Sequence, residues 1–274
     1  MRILVTGAAG YLGRGTVSAL CDMGAAVIAV DFDTACVDSR AGRVNCNLFE
    51  VENPYEYFGQ PDVLLHMAWR DGFVHNSDAH IEDLPLHTQL IKEFARPECR
   101  VCAIGSMHEI GYFEGAIDEN TPCKPMSNYG VAKNELREAA ANICEQAGAD
   151  FQWLRGYYIV GTSKAGNSIF AKIVATAEEG KKEFPFTTGV NKYDFLDYDE
   201  FCRQVAAAAM QSKVTGIINI CSGKPERLCD RVERFISDNG FDIKLQYGAF
   251  PDRPYDSPAV WGNGDKIAQI MKEV

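Results

Sequence analysis

Along the first 160 or so residues, short apolar runs alternate with segments whose apolar positions recur at helical spacing. Met1–Val5, Ala25–Val30, Asp62–His66 and Arg100–Gly105 are short and almost uniformly apolar, and read as buried strands. Between them, Thr16–Met23 places Val17 and Leu20 on one face, and residues 84–96 form a further helix. A longer helix runs from about Ser127 to Gln146, with Leu136, Ile143 and Cys144 inward and Ser127 as its N-cap. Such alternation predicts an α/β fold, a doubly wound parallel sheet with helices on both faces. Beyond residue 161 the pattern changes. Helices over Ile169–Glu179 and Phe201–Met210, with a Pro-rich aromatic segment around Arg253, Tyr255, Asp256 and Trp261, predict a smaller second part over residues 162–274. Its elements are free to interleave with the first part.

The first strand runs into Thr6-Gly7-Ala8-Ala9-Gly10-Tyr11-Leu12-Gly13 and then into a helix. Strand, glycine turn and helix together aim free backbone N–H groups and the positive end of a helix dipole at a phosphate. Gly7, Gly10 and Gly13 allow the tight turn, the approach of a pyrophosphate and close helix–strand packing. The second strand ends at Asp31, placed to accept hydrogen bonds from an adenosine ribose and to repel a 2′-phosphate. That favours NAD(H). Asp33 and Arg40 lie close by, and NADP(H) stays open as the alternative. Residues 1–161 are thus expected to be a Rossmann-type NAD(P)-binding domain. Strand ends at Asn47-Leu48, near the adenine, and at Met67-Ala68-Trp69 line the crevice of such a sheet, and Tyr157 joins the same set.

The net charge of −11, with no long basic run, argues against nucleic acid as a partner. No apolar run approaches the ~18 residues of a membrane span, and the N-terminus has no signal-peptide pattern, so a cytoplasmic protein is expected. The ten cysteines read as reduced, mostly buried small hydrophobes. Cys99-Arg-Val-Cys102 enters a strand instead of opening a helix, which argues against a redox pair, and no further ligands stand at zinc spacing. Residues 70–83 carry His75, Asp78, His80, Glu82 and Asp83, and are read as a solvated loop in preference to a metal site.

Tyr129 and Lys133 stand one turn apart near the start of the long helix and share a face. A cation beside a phenol favours the phenolate and lowers its pKa, which equips a tyrosine for proton transfer near neutral pH. With the glycine loop of residues 6–13 and the tyrosine–lysine pair, the chain resembles the extended short-chain dehydrogenase/reductases, the NAD-dependent epimerase/dehydratase family. Ile117–Pro122 with Pro125, the stretch Tyr193–Asp199 and the stretch Ile218–Gly223 add to the resemblance, which spans nearly the whole chain.

The resemblance implies a catalytic triad. Tyr129 exchanges a proton with a sugar oxygen, Lys133 holds the nicotinamide ribose and tunes the tyrosine, and a Ser or Thr at the end of the fifth strand binds the same oxygen. Anchoring on that strand gives Ser106; anchoring on the motif that follows gives Met107, which has no hydroxyl, and Ser106 is taken. His108 and Glu109 fall near the Asp–Glu acid/base pair of the dehydratases; His108 is no carboxylic acid, which argues against dehydration and leaves it as loop structure or as an auxiliary proton donor to substrate. Asn167 and Arg253 are implied as further substrate contacts, Arg253 toward a sugar diphosphate. The stretch from Leu154-Arg155 to Gly166–Phe170 resembles nucleotide-sugar 4-ketoreductases of the dTDP-4-keto-6-deoxyhexose type, while galactose-type epimerases carry asparagine where Tyr158 stands. The implied activity is reduction of a 4-keto nucleotide-sugar by a homodimer, with an NAD-retaining 4-epimerase and a non-catalytic dinucleotide sensor as the alternatives.

Overall fold

The computed structural model describes residues 1–164, 168–252 and 256–274. Elements are numbered in chain order. The central sheet consists of β1 (Arg2–Thr6), β2 (Ala26–Asp31), β3 (Gly42–Asn45), β4 (Val63–His66), β5 (Arg100–Ser106), β7 (Phe151–Gly156) and β11 (Gly216–Ile220). Its order is β11-β7-β5-β4-β1-β2-β3, with every pairing parallel. The strand order reverses between β1 and β4, and ligands bind such sheets at the carboxyl ends of the strands beside that switch.

A smaller sheet of β6 (Gly115–Ile117), β8 (Tyr158–Val160), β10 (Lys192–Asp197), β12 (Pro225–Arg227) and β14 (Ala259–Gly262) lies beyond those ends, and β9 (Glu183–Pro185) pairs with β13 (Lys244–Gln246). The helices are α1 (Tyr11–Asp22), α2 (Pro54–Tyr57), α3 (Ala79–Glu82), α4 (Leu84–Phe94), α5 (Asn128–Ala147), α6 (Ile169–Glu178), α7 (Tyr198–Met210), α8 (Leu228–Asp238) and α9 (Asp265–Met271).

Both faces of the central sheet are covered, which is why its strands read as continuous apolar runs. Alternate residues of β1 enter different cores. Ile3 and Val5 join Val17 and Leu20 of α1, Val205 of α7 and Ile267 of α9. Leu4 joins Leu90, Ile91 and Phe94 of α4 with Leu136 and Ala140 of α5. Strand and helix positions match the sequence reading to within a few residues, with one informative difference. The first helix starts at Tyr11, directly out of the glycine turn, and not at Thr16. The early turn is polar or small (Gly13, Arg14, Gly15) and carries no apolar periodicity from which to read it.

The C-terminal third does not stand apart. It supplies β11 at one edge of the central sheet and packs α7 against α1. All ten cysteines are free thiols. Cys99 and Cys102 are buried, with the Cys102 thiol donating to Gln152 Oε1 at 2.8 Å. Among the described residues no helix is long and apolar enough to cross a membrane.

Leu20, fully buried, and Leu86, 44% exposed, give a paired test of this packing. Leu20→Ala is expected to lower the unfolding free energy by about 2–5 kcal/mol in urea titrations, and Leu86→Ala by no more than about 0.5 kcal/mol.

Candidate active site

The glycine turn forms the floor of the site. Gly7 has φ +65°, and a Cβ there would lie 2.7 Å from the Ala68 backbone; a Cβ on Gly13 would lie 2.1 Å from the Gly7 carbonyl oxygen. Both positions therefore require glycine on contact distance alone. No side chain caps α1, so the N–H groups of its first turn, from Tyr11, Leu12 and Gly13, are available to an anionic ligand. Asp31, at the end of β2, accepts from Ala9 N–H at 3.0 Å and Phe32 N–H at 2.8 Å. A carboxylate has about four lone-pair sites, so capacity for ribose hydroxyls is left over. An uncapped helix start, a turn with no room for a Cβ at Gly7 or Gly13 and an acid at the next strand end together fit a dinucleotide. Asn47 caps the short turn Leu48–Glu50 beyond β3, with Leu48 buried beneath it.

The end of β1 is tied to the end of β4 by a buried polar chain that sequence reasoning missed. Thr6 Oγ1 accepts from the N–H groups of Met67 and Ala68 at 3.1 and 3.2 Å, and its O–H faces His66 Nδ1 at 2.8 Å. With the Thr6 hydrogen directed there, His66 Nε2 donates to His87 Nδ1 at 2.9 Å. Burial, then the nearby Lys133 charge, pushes the His66 imidazole down to about 3. Burial, then His66 and Lys133, pushes His87 down to about 2. Both rings are thus neutral at physiological pH, as this hydrogen-bond pattern requires. A His within an apolar strand end was the available signal.

Trp69 stacks on His87, with ring centroids 4.4 Å apart and planes 14° apart, and its indole N–H donates to His80 Nδ1 at 3.0 Å. The Lys133 ammonium lies 3.7 Å from the centre of the Trp69 ring and donates to the Ile104 carbonyl at 2.9 Å. Burial brings its pKa down to about 7, opposed by the charge of Glu109.

Ser106 ends β5, and Tyr129 and Lys133 lie in the first two turns of α5, which Ser127 caps by accepting from Gly130 N–H at 3.2 Å. The Ser106 side chain is a neighbour of the Tyr129 phenol and favours its ionised form. One expectation is reversed here. Burial pushes the Tyr129 phenol up to about 12; the neighbouring Ser106 lowers it and the Glu109 charge raises it further. Lys133 sits 6.0 Å from the phenol ring centre and is committed to Trp69 and Ile104, so it does not depress the phenol in this state.

Residues 70–83, expected to be a solvated loop, are mostly exposed, Asp78 and Glu82 among them, but two of the histidines fold onto α5. The His75 carbonyl accepts from Tyr129 N–H at 2.9 Å, and its ring stacks on the Tyr129 ring at 5.3 Å and 13°. The His80 ring is fully buried against Tyr129 at 5.3 Å, with its Nε2 on the Val74 carbonyl at 3.0 Å. His108 lies beside both, 4.3 Å from the His75 ring and 5.9 Å from Tyr129, and burial followed by the His75 charge brings it down to about 4. These three imidazoles wall the phenol. Among the described residues no group of His, Cys, Asp and Glu is arranged to hold a metal ion.

Glu109 does not form an acid/base pair with His108. Its side chain is fully buried, turned toward Trp153 and Arg155 behind the strand. Tyr157 is likewise committed to the core: it is 7% exposed and its hydroxyl meets Asn219 Oδ1 at 3.3 Å. Asn167 and Arg253 lie outside the described residues.

This geometry can be set beside known proteins. The profile of the NAD dependent epimerase/dehydratase family matches residues 3–221. A dTDP-6-deoxy-L-talose 4-dehydrogenase (NAD(+)) from Aggregatibacter actinomycetemcomitans is 39% identical over 269 residues, covering 96% of this chain and 99% of that protein. The crystal structure of UDP-glucuronic acid 4-epimerase from Bacillus cereus superimposes with a TM-score of 0.83 at 20% identity, over 100% of this chain and 94% of that one. The dTDP-glucose 4,6-dehydratase of Bacillus anthracis gives 0.79 at 19% identity, over 99% and 90%. The last two likenesses carry the fold alone, a Rossmann-type parallel sheet with flanking helices. The chain belongs to the NAD-dependent epimerase/dehydratase family of extended short-chain dehydrogenase/reductases, and is an enzyme whose cofactor is NAD.

The buried Lys133 gives a test with a defined sign. Its folded-state pKa of about 7 lies below the ordinary 10.5, so between those values the unfolded chain binds the extra proton. The resulting cost to stability is absent near pH 10.5 and complete below about pH 7. Lys133→Met is therefore expected to raise the unfolding free energy at pH 6 by about 1–3 kcal/mol, after allowing for the lost hydrogen bond. The gain is expected to shrink as denaturation is repeated towards pH 10.

Proposed function

We propose that this protein interconverts a 4-keto nucleotide-sugar and its 4-hydroxy form, most readily reducing a dTDP-4-keto-6-deoxyhexose with NADH. The observation that carries the reading is the convergence of Ser106, at the carboxyl end of β5, on Tyr129 near the start of α5, with Lys133 one turn further on, beside the glycine turn. NAD, when bound, supplies or accepts the hydride at sugar C4. Tyr129, held as a neutral phenol by burial, gives its proton to O4 as the ketone becomes an alcohol, or takes it back in the reverse direction. Ser106 hydrogen-bonds the same oxygen and fixes its distance from the phenol. Lys133 is released from Trp69 toward the nicotinamide ribose, which brings its charge to bear on the phenolate that remains.

Two features favour redox exchange at C4 over 4,6-elimination. Elimination needs a carboxylic acid and base close to the sugar, whereas His108 is held neutral and Glu109 faces the core. The 39% identical relative is by its name a 4-dehydrogenase of a dTDP-6-deoxyhexose, which is the same redox step. Asp31 supports NADH over NADPH, because a carboxylate beside the ribose repels a 2′-phosphate. The same reading takes residues 162–274 as the substrate-binding part and Asn167 and Arg253 as substrate contacts, Arg253 toward the sugar diphosphate, and makes the protein a cytoplasmic homodimer.

The test is NADH and NADPH oxidation with dTDP-, GDP- and UDP-4-keto-6-deoxysugars. Wild-type protein is expected to turn over a dTDP-linked substrate, with kcat/KM at least about tenfold higher for NADH than for NADPH. Tyr129→Phe is expected to lower kcat by about 100-fold or more, with NADH affinity kept. Absence of net oxidation, together with NAD released on denaturing the purified protein and C4 inversion of a nucleotide-sugar, replaces the reductase with an NAD-retaining 4-epimerase.

A further inference from the structure

A carboxylate buried behind the catalytic strand is unexplained by the chemistry above. Glu109 is 0% exposed. Its Oε1 accepts the backbone N–H of Ser106 at 2.5 Å, while Ser106 Oγ accepts the N–H of His108 at 3.3 Å. The two residues thus cap each other across the turn that ends β5. The carboxylate is itself immobilised from two other elements. From β7, Trp153 Nε1 lies 2.9 and 3.0 Å from its two oxygens and Arg155 Nε donates at 3.3 Å; from α5, Arg137 Nε approaches to 3.9 Å. Arg155 is in turn fixed by the Asp118 carbonyl at 3.2 Å. The backbone before Ser106 is packed so tightly against this group that a Cβ on Gly105 would lie 2.0 Å from the indole nitrogen and 2.6 Å from Glu109 Oε1.

Capping a short surface turn needs no ionised, fully desolvated group, and burying one is costly unless it is paired. Here the charge sits on the N–H of Ser106, whose side chain neighbours the Tyr129 phenol, and charge-assisted bonds of this kind are the stiffer ones. We infer that Glu109 is a positioning residue: it locks the backbone of Ser106 and thereby sets where the Ser106 hydroxyl stands relative to the Tyr129 phenol. It touches neither substrate nor cofactor. Its charge also acts on both partners of the reaction, opposing ionisation of Tyr129 and supporting the ammonium of Lys133. This inference rests on Ser106 and Tyr129 serving the carbonyl as proposed above.

A double-mutant cycle on the full chain tests it, with kcat and KM measured for wild type, Glu109→Gln, Ser106→Ala and the double variant. Glu109→Gln is expected to lower kcat at least about tenfold while KM for NADH stays within about twofold. In the Ser106→Ala background it is expected to lower kcat no further, because the group it positions is gone. An unchanged kcat in Glu109→Gln, or losses that multiply in the double variant, overturns the inference. If Glu109→Gln does not fold, Trp153→Phe keeps the carboxylate and removes one of its anchors. A several-fold loss of kcat confined to the Ser106 background supports the inference, and a loss common to both backgrounds overturns it. A readout without turnover separates this result from the functional proposal. The Ser106 amide proton in cofactor-free protein is expected far downfield and to move upfield by about 1 ppm in Glu109→Gln; an amide that does not move overturns the inference even where the reductase activity is found. Wild-type protein inactive on every 4-keto sugar, with that shift observed, counts against the functional reading alone.

Discussion

Backbone touching backbone at the glycine turn is the constraint on which the rest of the structure depends. The Gly13 main chain lies against the Gly7 carbonyl, and Gly7 lies against Ala68, with no room for a single Cβ at either place. That contact sets the angle at which α1 leaves β1 and the separation of β1 from β4 at the switch point. Thr6 then closes the seam by accepting the N–H groups of Met67 and Ala68 and engaging His66. The helix start, its uncapped N–H groups and the Trp69 platform under Lys133 all inherit their positions from this one close approach.

The second organising feature is desolvation. Tyr129, Lys133, His66 and His87 all sit where water does not reach freely, and their protonation follows from that more than from pair interactions. The phenol is held up near 12 and the amine down near 7. In this arrangement a neutral phenol stands beside Ser106, and the lysine lies over an indole with its hydrogen bond on Ile104. The expectation that a lysine one turn away lowers the phenol pKa is sound as electrostatics, but it presumes a Lys133 free to face Tyr129. The aromatic ring of Trp69 and the carbonyl of Ile104 compete for it and prevail here.

The loop of residues 70–83 shows how a polar composition misleads. His75, Asp78, His80, Glu82 and Asp83 read as solvent-facing because polar residues usually are; Asp78 and Glu82 are exposed, and the exception is His80, which is buried. Here Arg70 and Asp83 pin the base of the loop, the carbonyl of His75 takes a free N–H at the start of α5, and His80 goes under Trp69. An unsatisfied helix terminus is a demand that local sequence does not display.

What the sequence determined by itself was the set of features that depend on local chemistry or short-range period. These are the alternation of strand and helix that makes the sheet parallel and buried, the glycines required by contact and by φ, the acid after β2, the Ser127 cap, and the pair Tyr129 and Lys133 on one helical face. What only the tertiary structure decided was how distant groups meet. Asn219 takes the hydroxyl of Tyr157, β11 from the C-terminal third completes the central sheet, and Trp153 and Arg155 of β7 turn Glu109 away from His108 and onto Ser106. The reason is physical. Period and propensity act over one or two turns, whereas the pairing of buried polar groups is settled by which strands lie side by side, and that order is written in no single stretch of the chain.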